Sequence, residues 1–367
     1  MNQQALELQA QGQNWLKNAR RDGIAIMGTG GMAGDLHDAC VQLGIEVHAF
    51  ITSSATLSHH RGLPVHALAQ TPDALLVKPI WIGIFNHGDS SDLVQLRRQC
   101  LASGFSEVLV PQQFYALVEA QMGWRYWLAP LHAYEQQQTS IAQARALLAD
   151  AESIAVFDAI LDFRTGTKLD ESLPRSAGPQ YFPVDLLPAL PHSTNVYLDG
   201  GAYDGDTVSL AVEKLSPTQV LAFEPDPDNF RKLVTHVASI DLPATLFPLG
   251  ISDAVRFLRF RSDNGAGCAV DGTGDSQIQV VDLDSIVSKL PIDFLKLDIE
   301  GCEVEALHGA RQLISTRKPF LAIAGYHRWD DLWKIPTLIH AINPDYTIKL
   351  RLHCANSFDA VFYAYNA

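Results

Sequence analysis

Four short apolar runs in the C-terminal half of the chain each end in an acid. Val196-Tyr-Leu leads into Asp199, and Val220-Leu-Ala-Phe into Glu224. Thr245 to Ile251 leads into Ser252-Asp253, and Ile292-Asp-Phe-Leu-Lys-Leu into Asp298-Ile-Glu300-Gly301. Apolar runs of this length predict strands buried on both faces of a sheet. The segments between them carry helical patterns, so the alternation predicts an α/β fold with a parallel sheet. In such sheets ligands collect where the carboxyl ends of strands meet their turns. One acid after a strand is an ordinary helix N-cap. Four in succession are better explained as one shared site.

The N-terminal half repeats the alternation on a smaller scale. Gly23-Ile-Ala-Ile-Met-Gly predicts a strand, Gly28 to about Leu43 a helix, and Ile45 to Ile51 a second strand. Pro79 to Phe85 and Glu107 to Val110 predict two more, with a helix near Leu93 to Ser103 between them. Gly28, Gly30 and Ala33 satisfy the G-x-G-x-x-G/A pattern of dinucleotide sites. The second strand, however, runs into Phe50-Ile-Thr-Ser-Ser without the acid that a ribose needs. An NAD(P)-dependent oxidoreductase is therefore the weaker reading of this half. Leu131 to about Arg164 reads as helix. Thr165 to Thr194 then carries Pro174, Pro179, Pro183, Pro188 and Pro191, a density that forbids a long helix. The expected organisation is an accessory domain over 1–125, a helical connector and proline-rich arm over 126–180, and a second domain over 181–367. Tyr181-Phe182-Pro183 is expected to anchor the arm.

The turn after the first C-terminal strand has a distinctive chemistry. Gly200, Gly201 and Gly205 let backbone approach a ligand closely, while Asp199, Asp204 and Asp206 make the same turn acidic. A phosphate site offers bare amides. This turn suits a cationic or hydroxyl-rich ligand instead.

Asp199-Gly-Gly-Ala-Tyr-Asp-Gly-Asp-Thr, Phe223-Glu-Pro-Asp, Leu295-Lys-Leu-Asp-Ile-Glu-Gly-Cys-Glu and Ala306-Leu-His-Gly-Ala resemble the FkbM family of S-adenosylmethionine-dependent methyltransferases. Tyr326-His-Arg-Trp-Asp-Asp-Leu-Trp-Lys-Ile-Pro and Asp359-Ala-Val-Phe-Tyr-Ala fit its bacterial members as well. The resemblance runs from about Tyr181 to the end of the chain. It implies a class I, Rossmann-like seven-stranded methyltransferase sheet, with S-adenosyl-L-methionine as cofactor and O-methyl transfer to a sugar or other small hydroxylated metabolite. It also implies that the turn Asp199, Gly200, Gly201, Tyr203, Asp204, Gly205, Asp206 and Thr207 holds the methionine moiety. Glu224, with Pro225 and Asp226 beside it, is then expected at the ribose, Ser252 and Asp253 near the adenine, and Asp298 at the methyl-transfer centre. The N-terminal half resembles the Rossmann-like accessory domains attached to some members of the family.

Composition narrows the partners. The chain has 367 residues, 47% hydrophobic and 19% charged, as in ordinary globular proteins. A net charge of −14 repels a phosphate backbone, and no Lys/Arg-rich stripe offsets it, so nucleic acid is an unfavoured partner. No apolar run approaches the ~20 residues of a membrane span, and the polar Met1 to Gln13 lacks a signal-peptide core. Cys40, Cys100, Cys268, Cys302 and Cys354 have neither metal-site nor disulfide spacing, which leads to the expectation of a cytoplasmic protein with reduced thiols. No metal ligands are assigned. Asp263-Asn-Gly and Asp271-Gly-Thr-Gly-Asp275 depart from the twelve-residue calcium loop, and His59-His60 reads as a surface pair in a loop. Association into homo-oligomers is compatible with the sequence.

An alcohol is a weak nucleophile at neutral pH, so methyl transfer to oxygen calls for a base. The candidates are Asp298 and Glu300, two residues apart at the end of the fourth strand, and His327 after the apolar run Phe320 to Ala324. Glu300 reads equally well as a helix cap or first-turn acid. His327 reads as base or orienting residue, flanked by Tyr326, Arg328 and Trp329, which suit sugar faces and anionic substituents. The reading from a different class is a non-catalytic scaffold that binds a nucleotide sugar on an inactive methyltransferase fold.

Overall fold

The computed structural model describes residues 3–54, 57–191, 193–260 and 276–366. The oxygen-rich segments 263–265 and 271–275, with Cys268, lie outside the described residues. The chain divides into two compact units. The first comprises 1–138, 158–174 and 354–358, and the second 139–157, 175–353 and 359–367. The helical connector expected over 126–180 is thus shared between the units, and neither unit is one uninterrupted stretch of chain.

In the first unit, β1 (Ile24–Met27), β2 (Val47–Thr52), β3 (His59–His60), β4 (Leu63–Ala67), β5 (Ile80–Ile82) and β6 (Val108–Leu109) form a sheet in the order β3-β4-β2-β1-β5-β6. All neighbours are parallel except β3, which runs antiparallel to β4. His59-His60 is therefore a short edge strand and not a loop, and the His60 ring packs edge-on against Phe50, 4.7 Å between centroids. Two apolar clusters cover the sheet, one around Trp81 and Phe114 and the other around Trp127 and Phe163. The glycine pattern lies where β1 meets the helix Gly31–Gln42, with Gly28 at φ +107°. Within this unit, Asn356 accepts from the Leu93 N–H at 2.9 Å and donates to the Ser91 carbonyl at 2.7 Å.

The second unit is built on seven strands. These are β7 (Val196–Gly200), β8 (Gln219–Phe223), β9 (Ala244–Phe247), β13 (Ile292–Leu297), β14 (Phe320–Ala324), β15 (Thr347–Leu352) and β16 (Ala360–Tyr365). Their order is β15-β16-β14-β13-β7-β8-β9, and β16 runs antiparallel to both neighbours. This is the class I sheet expected from the resemblance. Strands β7 and β14 are buried at every position, which explains their unbroken apolar runs. The chain leaves β7 towards β8 and β9, then returns to β13 on the other side, so strand order reverses between β7 and β13. A crevice at such a reversal is where open α/β sheets bind ligands.

Two local expectations change. The run Thr245 to Ile251 is two strands, because Pro248 has no N–H to continue the ladder. Beyond it, β10 (Gly250–Ile251) joins β12 (Ser276–Val281) and β11 (Arg256–Phe260) in a separate three-stranded sheet. The helix expected over 131–164 is three helices, Leu131–Gln136, Gln138–Ala146 and Ala151–Arg164. It breaks before Ala151 because Leu148 bridges to Ile348 of β15 and the Ala149 N–H bonds the Ile348 carbonyl at 2.9 Å. The helix after β13 is also split, into Glu303–His308 and Arg311–Arg317. The break holds Gly309, where a Cβ would lie 2.1 Å from the Ser252 carbonyl oxygen.

The proline-rich arm lies along the second unit. Tyr181, Phe182 and Leu186 are buried in its core, and the Tyr181 N–H bonds the Tyr363 hydroxyl at 3.0 Å. Arg351 of β15, 1% exposed, holds the arm and the start of helix Ala151–Arg164 together. It donates to Asp185 at 2.7 Å, Asp150 at 2.8 Å and Ser153 at 2.8 Å. Burial would raise the Asp150 carboxyl, but Arg351 and Ser153 outweigh it and hold its pKa below the usual range. Arg351→Ala is expected to destabilise this unit by about 2–4 kcal/mol, a discounted figure because solvent reaches both acids. A depressed carboxylate stabilises the fold above its unfolded pKa and loses that contribution as pH falls through its folded one. Urea unfolding should therefore show a wild-type advantage that is full at pH 7 and shrinks below about pH 4. An advantage unchanged at pH 3 would contradict the assignment.

Candidate active site

Lys296 and Asp199 are register partners in the β13–β7 ladder, and their side chains meet inside the sheet at 2.8 Å. They are 2% and 0% exposed. The ammonium has three donors, and three acceptors surround it: Asp199, the Gly201 carbonyl at 2.7 Å and the Gly200 carbonyl at 3.2 Å. The Asp199 carboxylate also accepts from Thr207 at 2.5 Å and Tyr197 at 3.2 Å. Burial opposes the Lys296 charge, yet Asp199 and Asp298 outweigh it and hold its pKa above the lysine norm. Burial pulls the Asp199 carboxyl upward against Lys296. The ionised pair is the state that fits, since every donor of the one and every contact of the other is of the charged form. Asp199 is thus an internal brace of the turn.

The glycine turn closes against the end of β13. Gly201 sits at φ +74°, and a Cβ there would fall 1.8 Å from the Asp298 carbonyl oxygen. Its N–H and that of Ala202 both bond the Phe223 carbonyl at 3.0 Å. Gly205, also at positive φ, precedes the helix Asp206–Leu215. Tyr203, at φ +48° and half-exposed, donates its N–H to Glu224 at 2.9 Å. Asp204 accepts from the Asp206 N–H at 3.3 Å, and Asp206 from the Thr207 N–H at 2.7 Å.

Glu224, at the end of β8, is 6% exposed and accepts the Tyr203 and Asp226 N–H groups, one on each oxygen. A carboxylate has about four acceptor directions, so half remain available for a diol. Burial pushes its pKa up to about 7 against those two hydrogen bonds. Asp226 is the N-cap of helix Pro227–Val237, accepting from Asp228 and Asn229 at 2.9 Å, with Pro227 in the first turn. The capping explanation thus fits Asp226. Pro225 is half-buried between these two acids. Ser252 is buried, and its hydroxyl accepts from Arg256 at 3.0 Å. Asp253, on the surface, pairs with Arg256 at 2.7 Å.

Across the reversal, β13 and the loop after β14 assemble a second cluster. Asp298 accepts from the Tyr181 hydroxyl in a short hydrogen bond and from Tyr326 at 3.1 Å. His327, 0% exposed, lies with Nε2 3.3 Å from Asp298 and 3.5 Å from Glu300. Its Nδ1 is 2.9 Å from Glu303, which also accepts the Ile299 N–H at 2.8 Å. Glu300 stands at φ +57°, a left-handed conformation that Gly301 continues at φ +95°. It does not cap the following helix, whose N-cap position is Cys302. Arg328 Nε donates to the Gly301 carbonyl at 2.5 Å and fixes this corner.

Burial dominates the electrostatics of the cluster. It would neutralise His327, but Glu303, Glu300 and Asp298 outweigh it and hold the imidazolium well above the usual histidine range. Burial pushes Glu300 up to about 7 against the pull of His327. Asp331, also buried, rises to about 8 with Glu303 adding to the effect. Asp298 is held below the carboxylate norm, because His327, Lys296 and the two phenols outweigh its burial. Tyr181 and Tyr326 are raised by burial first and Asp298 second, so both remain hydroxyl donors.

The three residues expected at the chemistry, Asp298, Glu300 and His327, are in one place. Sequence reasoning missed Lys296, Glu303 and Asp331, and it gave Tyr181 only an anchoring role. Lys296 was the most legible of these, since a lysine between two leucines of a central strand must find a buried partner.

Residues 199–347 match the family model described as Methyltransferase FkbM domain. The structure of methyltransferase FkbM from Methylobacillus flagellatus KT is similar over 96% of this chain and 93% of that one, with 24% identity and a TM-score of 0.74. A putative rRNA methylase from Clostridium thermocellum aligns over 50% of this chain and 91% of its own, at 11% identity and a TM-score of 0.34. An rRNA methylase from Streptococcus thermophilus aligns over 50% and 92%, at 16% identity and 0.33. Scores this low carry no weight for this chain. No curated protein matches the sequence. The segment from Asp199 to Thr347, which carries the acids gathered at the β7–β13 reversal, is the part of the chain that matches the FkbM methyltransferase domain, and the seven-stranded sheet to which it contributes has the fold of the Methylobacillus flagellatus protein.

Proposed function

We propose that the second unit binds S-adenosyl-L-methionine and transfers its methyl group to an oxygen of a sugar, a glycan precursor or another small hydroxylated metabolite. Glu224 carries the reading: a buried carboxylate at the end of β8, with acceptor directions left over beside the glycine turn, suits a ribose diol. The turn from Gly200 to Thr207 leads from β7 towards the same strand end, so the methionine moiety lies along it. Its acids favour the cofactor's ammonium and sulfonium charges. The acceptor enters from the side of Asp298, Glu300 and His327. Carboxylates there accept from sugar hydroxyls, and the paired rings of Trp329 and Trp333, 5.1 Å apart, supply aromatic surface nearby in sequence. Transfer itself is an in-line displacement, in which positioning does most of the work.

Calorimetric titration with S-adenosylmethionine and S-adenosylhomocysteine tests the cofactor, with NAD and NADP as controls. Micromolar binding of the sulfur compounds alone is expected, followed by transfer of labelled methyl to members of a sugar panel. A folded protein that binds neither sulfur compound would defeat the proposal.

Glu224 gives the binding a pH signature. The ionised carboxylate accepts from the diol, and its proton is lost near pH 7 in the free protein. Affinity for S-adenosylhomocysteine should rise from pH 6 to pH 8 and then level off. In Glu224→Gln the profile should flatten, with binding weaker by about 2 kcal/mol, roughly 30-fold. An unchanged profile in the variant would exclude Glu224 as the source.

Lys296→Met leaves Asp199 charged and unpaired in the core, which should cost this unit about 3–5 kcal/mol. Adding Asp199→Asn should restore part of that loss in urea unfolding. A double variant no more stable than Lys296→Met would show that the pair is not the brace described.

A further inference from the structure

We infer that Glu300 is the base of the proposed transfer: its carboxylate takes the proton of the acceptor hydroxyl, while His327 and Asp298 are held by their neighbours and position it. The inference rests on the proposed function and deepens it, since it assigns the one step that needs a proton acceptor.

Asp298, Glu300 and His327 stand together, but their surroundings leave only one of them able to take a proton. His327 is buried, with Nδ1 2.9 Å from Glu303 and Nε2 facing Asp298 and Glu300 at 3.3 and 3.5 Å. Held as an imidazolium by three carboxylates, it has no lone pair with which to accept a proton. Asp298 accepts from Tyr181 and Tyr326, and Lys296 adds a nearby positive charge. Those neighbours hold it ionised and make it a weak base. Glu303 and Asp331 are 0% and 1% exposed, so an acceptor does not reach them. Glu300 differs on each count. Its side chain is 37% exposed. Oε2 faces His327 from a buried position and accepts no hydrogen bond among the described residues, so that exposure falls on the rest of the side chain, which ends in Oε1.

The backbone and the surrounding charges support the same assignment. Glu300 at φ +57° and Gly301 at φ +95° form a left-handed corner, fixed by Arg328 Nε donating to the Gly301 carbonyl at 2.5 Å. Strain of this kind persists where surrounding structure enforces it. The groups that face Glu300 are His327 and Tyr326 from the loop after β14, Asp298 from the end of β13, Glu303 from the helix behind it and Glu224 from the end of β8. Burial pushes the Glu300 carboxyl up to about 7 against His327, with Asp298, Glu303 and Glu224 adding to the rise. Two carboxyls two residues apart are thus driven in opposite directions, the pattern that separates a proton acceptor from a fixed charge. In the step itself the acceptor O–H bond breaks and its proton passes to Glu300. The oxygen takes the methyl carbon as the C–S bond breaks, and the bonding pair stays on sulfur as a neutral thioether. Glu300 then loses the proton to water.

Two measurements on the full-length protein test this. In the first, ligand-free protein at pH 7 is treated with a water-soluble carbodiimide and glycine methyl ester, and amide formation is read by peptide mass spectrometry. Only a carboxyl that still holds its proton is activated. Glu300 should therefore be converted roughly tenfold or more faster than Glu213, an exposed acid of helix Asp206–Leu215. In the second, transfer of labelled methyl to the sugar panel is followed at saturating S-adenosylmethionine, so that the titration of Glu224 drops out of kcat. Wild-type kcat should rise roughly tenfold between pH 6 and pH 8 as Glu300 ionises. Glu300→Gln should lose that rise and about 100- to 10,000-fold in kcat, while binding S-adenosylhomocysteine as wild type does. His327→Gln, its fold checked by circular dichroism, should move the inflection upward, because the cation that opposes the rise is gone. If that variant does not fold, the labelling and Glu300→Gln decide. Labelling of Glu300 no faster than that of Glu213, or a Glu300→Gln protein that keeps more than about a tenth of wild-type kcat, would overturn the inference. Wild type that methylates a sugar while Glu300 fails either test defeats the base alone. Wild type that labels at Glu300 and methylates no sugar defeats the proposed function, and the base with it.

Discussion

The buried ion pair between Lys296 and Asp199 is the constraint on which this site depends. A charge placed between two central strands is stable only with a full complement of partners, and Lys296 has no spare donor. By taking the Gly200 and Gly201 carbonyls it fixes the path of the chain as it leaves β7. That path brings Gly201 so close to the Asp298 carbonyl that no side chain fits between them. The ends of β7 and β13 are thereby set against each other. Glu224 at the end of β8 and the acids after β13 are then gathered at the same end of the sheet.

This arrangement explains why some of the site was legible in the sequence and some was not. Apolar runs ending in acids located β7, β8 and β13, because central parallel strands are buried on both faces and ligands sit at their carboxyl ends. The direction in which an acid points is another matter. Asp199 turns inward to Lys296, Asp226 turns onto its own helix, and Glu224 turns to the crevice, although all three follow the same kind of strand. Only the Pro227 that follows Asp226 carried a local signal of capping. Pro248 likewise signalled that the third run would break, a signal overridden by the apolar residues around it. The pairing of His59-His60 with Leu63-Pro64 rests on a turn of two residues and has no periodicity to reveal it.

Long-range contacts supplied what the sequence withheld. His327 meets Asp298, Glu300 and Glu303 only because β14 lies beside β13 in the sheet. Spacing along the chain gives no sign of this cluster, since the histidine is more than twenty residues from the acids. The negative charge gathered there needs a positive partner, and the imidazolium offsets only part of it.

Tyr181 ties the proline-rich arm to this balance. Its backbone is held by Tyr363 on β16, its hydroxyl by Asp298, and its ring lies 5.2 Å from the Lys296 ammonium. One side chain therefore touches both Asp298 after β13 and the cation that braces the glycine turn after β7. The arm's prolines keep it extended, so it reaches this point without adding a helix that would need its own buried face. Arg351 pins the same arm at Asp185, four residues further on. Loosening the arm removes a donor from Asp298 and an aromatic face from Lys296 at once. Arm and site consequently meet at Tyr181, which completes the polar core between two strands just before the arm's short 3-10 helix Val184–Ala189.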